Sequence, residues 1–286
     1  MPELPEVETI LNGLQSALAG RRIISTEARR GLRWPVPDDL SIRADGKKIR
    51  AASRIGKYIL IALMRGPTIL IHLGMSGRIR ITAGRARYQP QKHEHVTLTL
   101  DNGTRIGLVD PRRFGCFLLL ESGREREHPL LRALGTDPLE QDFDARYLSD
   151  KLGRKRAPIK TALLDQHVVA GLGNIYVCEI LYRAHINPER LALSLDQEEI
   201  ERLAAVTPDV LREAIGAGGS TLRDYVDAQG KPGAFQELHR VYGREGEPCP
   251  DCPGYPACAG IRRLVQSGRS SYYCPRLQPP LSLEDA

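Results

Sequence analysis

Long apolar runs, aromatic rings and methionines are all scarce in this chain. No stretch approaches the ~20 consecutive apolar residues that crossing a bilayer requires, so no spanning segment and no membrane partner are expected. A secretory leader is not expected either, because Glu3, Glu6 and Glu8 stand where a basic n-region would be. The expectation is a cytoplasmic protein. Aromatic residues make up 5% of 286 residues, so any stacking on a ring-bearing ligand rests on few side chains. No internal repeat is found. The length suits two modest domains, and a hydrophobic content of 41% supports ordinary buried cores.

Charge is present in excess of one sign. The chain carries 41 Lys and Arg against 35 Asp and Glu, a formal net charge of +6. The excess is small, but basic residues cluster at Arg154, Lys155, Arg156 and Lys160, and again at Arg262, Arg263 and Arg269. Such clusters suit phosphate neutralisation; they equally suit a solvated charged face.

Periodicity divides the chain. Val7, Ile10, Leu11, Leu14 and Leu18 form a helical stripe over residues 4–19, with Gly20 as a stop. Short β-rich runs follow at Tyr58–Leu63, Thr68–Leu73, His95–Leu100, Arg105–Val109 and Cys116–Leu120. Breaks at Gly66-Pro67, Asp101-Asn102-Gly103 and Asp110-Pro111 separate them, which suggests a sandwich or barrel of antiparallel strands. After Gly135 the pattern turns helical, with Ser194 and Gln197 as a capping box and Gly218-Gly219 as a close. The expected organisation is a β-rich domain over residues 1–130, a linker at 131–150, a helical domain at 151–240 and a cysteine-bearing tail at 241–286.

Cys116 and Cys178 lie in apolar stretches and suit buried thiols. Cys249, Cys252, Cys258 and Cys274 crowd together, and Cys249-Pro-Asp-Cys252 has the spacing of a zinc knuckle. In a reducing compartment a metal is expected over a disulfide, because so short a segment needs a staple.

The N-terminus offers a second candidate. Removal of Met1 before the small Pro2 would expose a secondary amine, and an α-amino group has an ordinary pKa of about 8. Such an amine adding to a sugar C1′ yields an iminium that cannot shed its charge by losing an N–H proton, and that draws electrons for phosphate elimination. Glu3 and Glu6 share a helical face and could manage protons beside it. Proline and acids are also ordinary residues for a first helical turn, so residue types alone leave both readings open.

Several separated motifs decide between them. The start Met-Pro-Glu-Leu-Pro-Glu-Val-Glu-Thr is joined by Gly56-Lys57-Tyr58, His72-Leu-Gly-Met-Ser-Gly77, Lys92-His93-Glu-His95 and Asp110-Pro-Arg-Arg-Phe-Gly115. Gly171-Leu-Gly-Asn-Ile-Tyr176, Gly218-Gly-Ser-Thr221 and Val241-Tyr-Gly-Arg-Glu-Gly-Glu-Pro-Cys249 follow in order. Nearly the whole chain thus resembles the formamidopyrimidine-DNA glycosylase family, which includes the endonuclease VIII-like enzymes.

The resemblance implies an α+β fold. An N-terminal antiparallel β-sandwich with flanking helices would precede a helix–two-turn–helix domain ending in a zinc-finger β-hairpin. It implies a monomeric base excision repair enzyme that is both glycosylase and abasic-site lyase, acting on double-stranded DNA with oxidised purines at the bacterial nucleoid. Pro2 would be the Schiff-base nucleophile and Glu3 the acid that opens the sugar, with Glu6 close by. Lys57 would move a proton in β-elimination and Arg269 would serve δ-elimination, where its permanent charge suits a phosphate clamp. Phosphate contacts would come from His93, Arg112, Lys155, Lys160, Asn174 and Arg269, Asn174 as the N-cap of the second helix. Met75, Arg112 and Phe114 would fill the space that a flipped base leaves. Residues 218–235 resemble a lesion-capping loop, with Gly230 and Gly233 for mobility. The trio and the Glu-Leu-Pro-Glu start point to the purine-directed branch. An oxidised-pyrimidine glycosylase and a catalytically silent damaged-DNA-binding paralogue are the alternatives.

One departure stands out. The family pattern places a fourth cysteine where this chain has Leu277, which cannot bind metal. Cys258, in an apparent insertion, is expected to complete a structural zinc site with Cys249, Cys252 and Cys274.

Overall fold

The computed structural model describes residues 1–84, 88–220, 232–252 and 258–280. It divides into two compact units, Met1–Ala133 with Ile215–Gln236, and Leu134–Ala214 with Glu237–Ala286. The first division falls inside the expected linker. The described residues 215–220 and 232–236 belong with the first unit.

The first unit starts with α1 (Leu4–Leu18), whose apolar stripe is fully used: Leu4, Ile10 and Leu14 are each 0% exposed. Two four-stranded antiparallel sheets follow. One is ordered β1 (Ile23–Ala28), β6 (Glu94–Leu100), β7 (Arg105–Val109), β5 (Arg78–Thr82). The other is ordered β2 (Ile49–Ile55), β3 (Tyr58–Leu63), β4 (Thr68–His72), β8 (Cys116–Leu120). A short helix α2 (Leu40–Ala44) lies between β1 and β2 in the chain. Val7, Leu11 and Leu14 of α1 share one core with Ile59, Ile61, Ile69 and Ile71 of one sheet and Val96, Leu98, Ile106 and Leu108 of the other. Burial of each such side chain is worth about 1.5–3 kcal/mol, which fixes the helix against both sheets.

Strands β1, β2 and β5 have no counterpart among the expected ones. Only Ile23 and Thr26 of β1 are buried, and β2 buries Ile49 alone, so the two-residue alternation is faint. Bulges after Ile23 and Ile49 shift the register further.

Register places three connections at one end of the first unit. Tyr58 pairs with His72, and His72 pairs with Cys116, so these residues form a row across the sheet. The turn Gly56-Lys57 precedes this row, Leu73–Gly77 leaves it, and Asp110–Gly115 enters it. Arg78 and Val109 pair in the other sheet, so Leu73–Gly77 and Asp110–Gly115 cross between the sheets side by side.

The second unit holds α3 (Ala145–Leu152), α4 (Ile159–Leu164), α5 (Asn174–Arg183), most of α6 (Gln197–Gly216) and a hairpin of β9 (Arg262–Gln266) and β10 (Arg269–Tyr273). Helix α6 is capped two residues from the expected box. Glu199 N donates to Asp196 Oδ1 at 2.8 Å and Asp196 N to Glu199 Oε2 at 3.0 Å. The acid-for-serine swap keeps the same reciprocal logic. Ser267 and Gly268 join β9 to β10 with φ of 49° and 74°, the two positive values that a tight hairpin turn needs.

Candidate functional site

Pro2 and Glu3 are buried at the entry to α1, Glu3 at 4% exposure. Both carboxylate oxygens of Glu6 are engaged by backbone: Oε2 accepts from Glu3 N and Oε1 from Ser220 N, each at 2.8 Å. Spacing put Glu6 near the amine; geometry gives it the further task of fixing the chain on both sides of α1's first turn. Gly219 has φ of 80°, and a Cβ there would lie 2.9 Å from Glu6 Oε1, so a side chain would be strained and would displace the carboxylate that holds Ser220. The remainder of the expected lesion-capping loop, residues 221–231 with Gly230, lies outside the described residues; Gly233 is described.

Lys57 is 6% exposed in the two-residue turn between β2 and β3. Arg54, which sequence reasoning missed, fixes this turn. Its Nε donates to Glu8 Oε2 at 2.7 Å, and its Nη1 donates to Gly56 O at 2.9 Å. One guanidinium thus ties the first turns of the helix carrying Pro2 and Glu3 to the peptide before Lys57. An arginine in a strand whose alternation is faint gives no signal of that duty.

Sequence alone gives His72 no role. Its ring lies 4.8 Å from that of Tyr58, and its Nδ1 accepts from Gly74 N at 3.1 Å. Burial, and then the Lys57 ammonium, push the imidazole down to about 4, with Asp110 acting in the opposite sense. The ring is therefore neutral at pH 7, and its acceptor nitrogen holds the start of the turn that displays Met75.

Met75 is 45% exposed and Phe114 40% exposed, both large apolar side chains at loop tips. The Arg112 guanidinium sits 4.8 Å from the Phe114 ring centroid. The two loops touch backbone to backbone: a Cβ at Gly74, where φ is 60°, would lie 2.5 Å from the Phe114 carbonyl carbon. Only glycine permits that approach. Arg112 and His93 are exposed, His93 in a left-handed conformation with φ 66°.

In the second unit, Asn174 is the first residue of α5 and Gly173 the N-cap, which corrects the expectation that Asn174 is the cap. Asn174 Nδ2 donates to Ser270 O at 2.9 Å, beside Arg269, which is exposed at the start of β10. Lys160 brings a second correction. It is 0% exposed, and its ammonium donates to Ser270 O at 2.8 Å and Ser271 Oγ at 2.6 Å. An enclosed ammonium cannot meet a phosphate in this conformation; it props the hairpin that carries Arg269. Lys155 is partly exposed and pairs with Asp165 at 2.9 Å. Desolvation opposes ionisation of Asp165, but Lys155 and His167 outweigh it and hold the carboxyl at about 2.

Cys249, Cys252, Cys258 and Cys274 have sulfurs all within 4.8 Å of one another. Tetrahedral Zn–S bonds of about 2.3 Å need sulfurs roughly 3.8 Å apart, so small adjustments would close a four-thiolate site. Cys258 does reach the cluster, whereas Leu277 packs beside it as an apolar residue. Desolvation raises the Cys258 thiol, but backbone contacts at Cys249 and Gly260 outweigh it and bring it down to about 7. Tyr182 of α5 lies 3.1 Å from Cys249 Sγ through its hydroxyl and donates to Asp251 at 2.9 Å. Buried Glu179 accepts from the backbone N–H groups of Arg240, Val241 and Tyr242 at 2.9, 3.0 and 2.8 Å, fixing the chain that leads into the cluster.

A helix-started double sheet, followed by a helical unit closed by a four-cysteine hairpin, is the architecture of a helix–two-turn–helix DNA glycosylase. Comparison with known proteins agrees. The formamidopyrimidine-DNA glycosylase N-terminal domain matches residues 1–117 and the corresponding H2TH domain matches residues 134–226. A formamidopyrimidine-DNA glycosylase of Gluconobacter oxydans is 49% identical over 279 residues, covering 97% of this chain and all of the relative. A point mutant of the Lactococcus lactis Fpg, solved with DNA containing Fapy-dG, superposes with a TM-score of 0.87 at 34% identity, covering 98% of this chain and 100% of the other. A MutM bound to DNA containing carbocyclic 8-oxo-G gives 0.85 at 34% identity with the same coverage. This chain belongs to the formamidopyrimidine-DNA glycosylase family.

Proposed function

We propose that this chain excises 8-oxoguanine and formamidopyrimidines from double-stranded DNA and then cleaves the abasic strand, as a bifunctional glycosylase and lyase of base excision repair. The observation that carries the reading is the gathering of Lys57, Met75 and the Arg112–Phe114 loop at one end of the first unit, with Arg54 tying α1's first turns to the same end. Similarity over nearly the full length to named formamidopyrimidine-DNA glycosylases supports it.

The chemistry follows from the residues. With Met1 removed, the Pro2 nitrogen is a secondary amine that bonds to C1′ as the glycosidic bond breaks and the base departs with its electron pair. Glu3 supplies the proton that opens the sugar ring at O4′. The resulting iminium accepts electrons when a proton leaves C2′ and the 3′ phosphate is expelled. Lys57 serves proton transfer at that step, and Arg269 holds the phosphate expelled by the second elimination. Glu6 keeps the first turn of α1 and Ser220 in place. His93, Arg112, Lys155, Asn174 and Arg269 take DNA contacts, while Lys160 supports the hairpin from within.

Zinc suits the four thiolates, which are soft, closely spaced and without a water-accepting fourth position. Bound there, it supplies structure only, holding the hairpin of Arg269 to α5. Action at the nucleoid, as a monomer, fits the substrate.

A panel of duplexes tests the substrate class. Excision of 8-oxoguanine opposite cytosine should outpace excision of an oxidised pyrimidine; the reverse ranking overturns the purine assignment, and binding without excision of either overturns the enzyme.

A further inference from the structure

We propose that Asp110 is the positioning residue of the base-replacing wedge, locking the Met75 turn to the Arg112–Phe114 loop through one buried carboxylate. The proposal rests on reading Met75, Arg112 and Phe114 as the group that enters the DNA stack.

Asp110 is 0% exposed, and its hydrogen bonds run to both loops. Oδ1 accepts from Ser76 Oγ at 3.0 Å, reaching 34 residues along the chain to the turn beside Met75. The same oxygen accepts from Arg112 N at 3.3 Å, and Oδ2 accepts from Gly115 N at 2.8 Å, on either side of Phe114. The backbone of Asp110 is held as well. Its carbonyl accepts from His95 Nε2 at 2.8 Å, and its N–H donates to His93 O at 2.9 Å. Side-chain and main-chain bonds therefore fix the residue from β6, from the Met75 turn and from its own loop.

Topology explains why one carboxylate suffices. The two loops cross between the sheets side by side, since His72 pairs with Cys116 at one end and Arg78 with Val109 at the other. Neither loop has regular strand bonds to the other over this crossing. Met75 and Phe114 project from it 45% and 40% exposed, so little packing holds their tips. A wedge that unstacks bases works against a few kcal/mol per step and must not fold back on itself. Charge-assisted hydrogen bonds to a buried carboxylate, roughly twice as strong as neutral ones, supply that stiffness where side-chain burial does not.

The proposal predicts a specific failure. Loosening Asp110 should leave DNA binding and amine chemistry in place while wedge insertion weakens. Two variants separate this from general damage. Asp110→Asn keeps the size but sets an amide where Oδ2 or Oδ1 accepts. Ser76→Ala removes only the bond between the loops and leaves the contacts of Asp110 to its own loop, so it reads the tie even where Asp110→Asn lowers stability. Insertion is followed by the fluorescence rise of 2-aminopurine placed beside a tetrahydrofuran abasic analogue in duplex DNA. Excision of 8-oxoguanine opposite cytosine is followed under single turnover, and strand cleavage at a preformed abasic site in single-stranded DNA serves as the reference.

Ser76→Ala should lower the fluorescence rise and slow excision by about tenfold, with cleavage of the single-stranded abasic site within about twofold of the original. Adding Ser76→Ala to Met75→Ala should cost less than the two changes summed, because both act on one wedge. An undiminished fluorescence rise in Ser76→Ala, or equal loss of excision and single-strand cleavage, overturns the proposal. Normal excision by Met75→Ala would instead refute the wedge reading, and the fluorescence amplitude in Ser76→Ala would still decide whether Asp110 fixes the turn.

Discussion

The two units use buried charge in opposite ways. In the first, the buried carboxylate of Asp110 holds two loops whose tips, Met75 and Phe114, stay exposed, while Glu6 and Arg54 fix the backbone at Ser220 and Gly56. In the second, Lys160 and Glu179 are drawn wholly inside and bond to backbone or hydroxyl groups of the hairpin and its approach. The first arrangement presents side chains for chemistry and leaves them room; the second builds a stiff mount for a hairpin that displays Arg269. A basic cluster in sequence therefore says little about where its charges end up. Of Lys155 and Lys160, five residues apart in one cluster, one meets solvent and the other meets none.

Substitutions test whether the two units differ in this way. Glu3→Gln in the first unit should slow base excision by about 10²–10⁴-fold, the range for a positioned proton donor, with duplex binding retained. Single-turnover assays check this, and a loss below tenfold would assign Glu3 to structure. Removal of metal, or Cys258→Ser, acts on the second unit. Duplex affinity should fall together with zinc content, from about one ion per chain, before the rate at saturating enzyme falls. Zinc retained in full by Cys258→Ser would show that Cys258 is not a ligand.

Lys160→Met and Arg269→Ala sharpen the contrast within the second unit. An exposed phosphate contact contributes about one unit to the salt slope of DNA binding, and Arg269→Ala should lower the slope by that amount. Lys160→Met should leave the slope unchanged while lowering stability by about 1–3 kcal/mol, as buried acceptors lose their donor. A slope change in Lys160→Met would return that residue to the DNA surface.

The smallest effect is pH-dependent. His72 has its pKa lowered from 6.5 to about 4, so the unfolded chain takes up the proton first as pH falls. The stability it contributes is present above pH ~6.5 and is lost between there and ~4. Thermal midpoints over that window should fall less in His72→Gln than in the original chain, by a few degrees. Equal falls would mean that the ring is protonated in the fold.

Much of this organisation was legible in the sequence. Tyr58–Leu63, Arg105–Val109 and Cys116–Leu120 read correctly because buried strands leave dense apolar runs. The first helix read correctly because its stripe is long and regular. β1 and β2 stayed hidden because bulges and one-sided burial erase the alternation. The cysteine cluster was legible down to Cys258, since ligand chemistry leaves few substitutes. The supporting residues were not. Arg54, Asp110 and Glu179 each bond to a partner remote in sequence, Glu8, Ser76 and the backbone of Val241, and no spacing rule records a bond across 46, 34 or 62 residues. Lys160 was misread as surface charge because burial of a lysine depends on acceptors 110 residues away.

Amine catalysis by Pro2 on an oxidised purine underlies the proposed function. Borohydride reduction during reaction with an 8-oxoguanine–cytosine duplex tests it most directly. The expected result is a covalent protein–DNA adduct whose cross-linked peptide starts at Pro2, and loss of that adduct in a Pro2→Gly variant that still binds the lesion. An adduct through another residue, or full strand cleavage by Pro2→Gly, would contradict it.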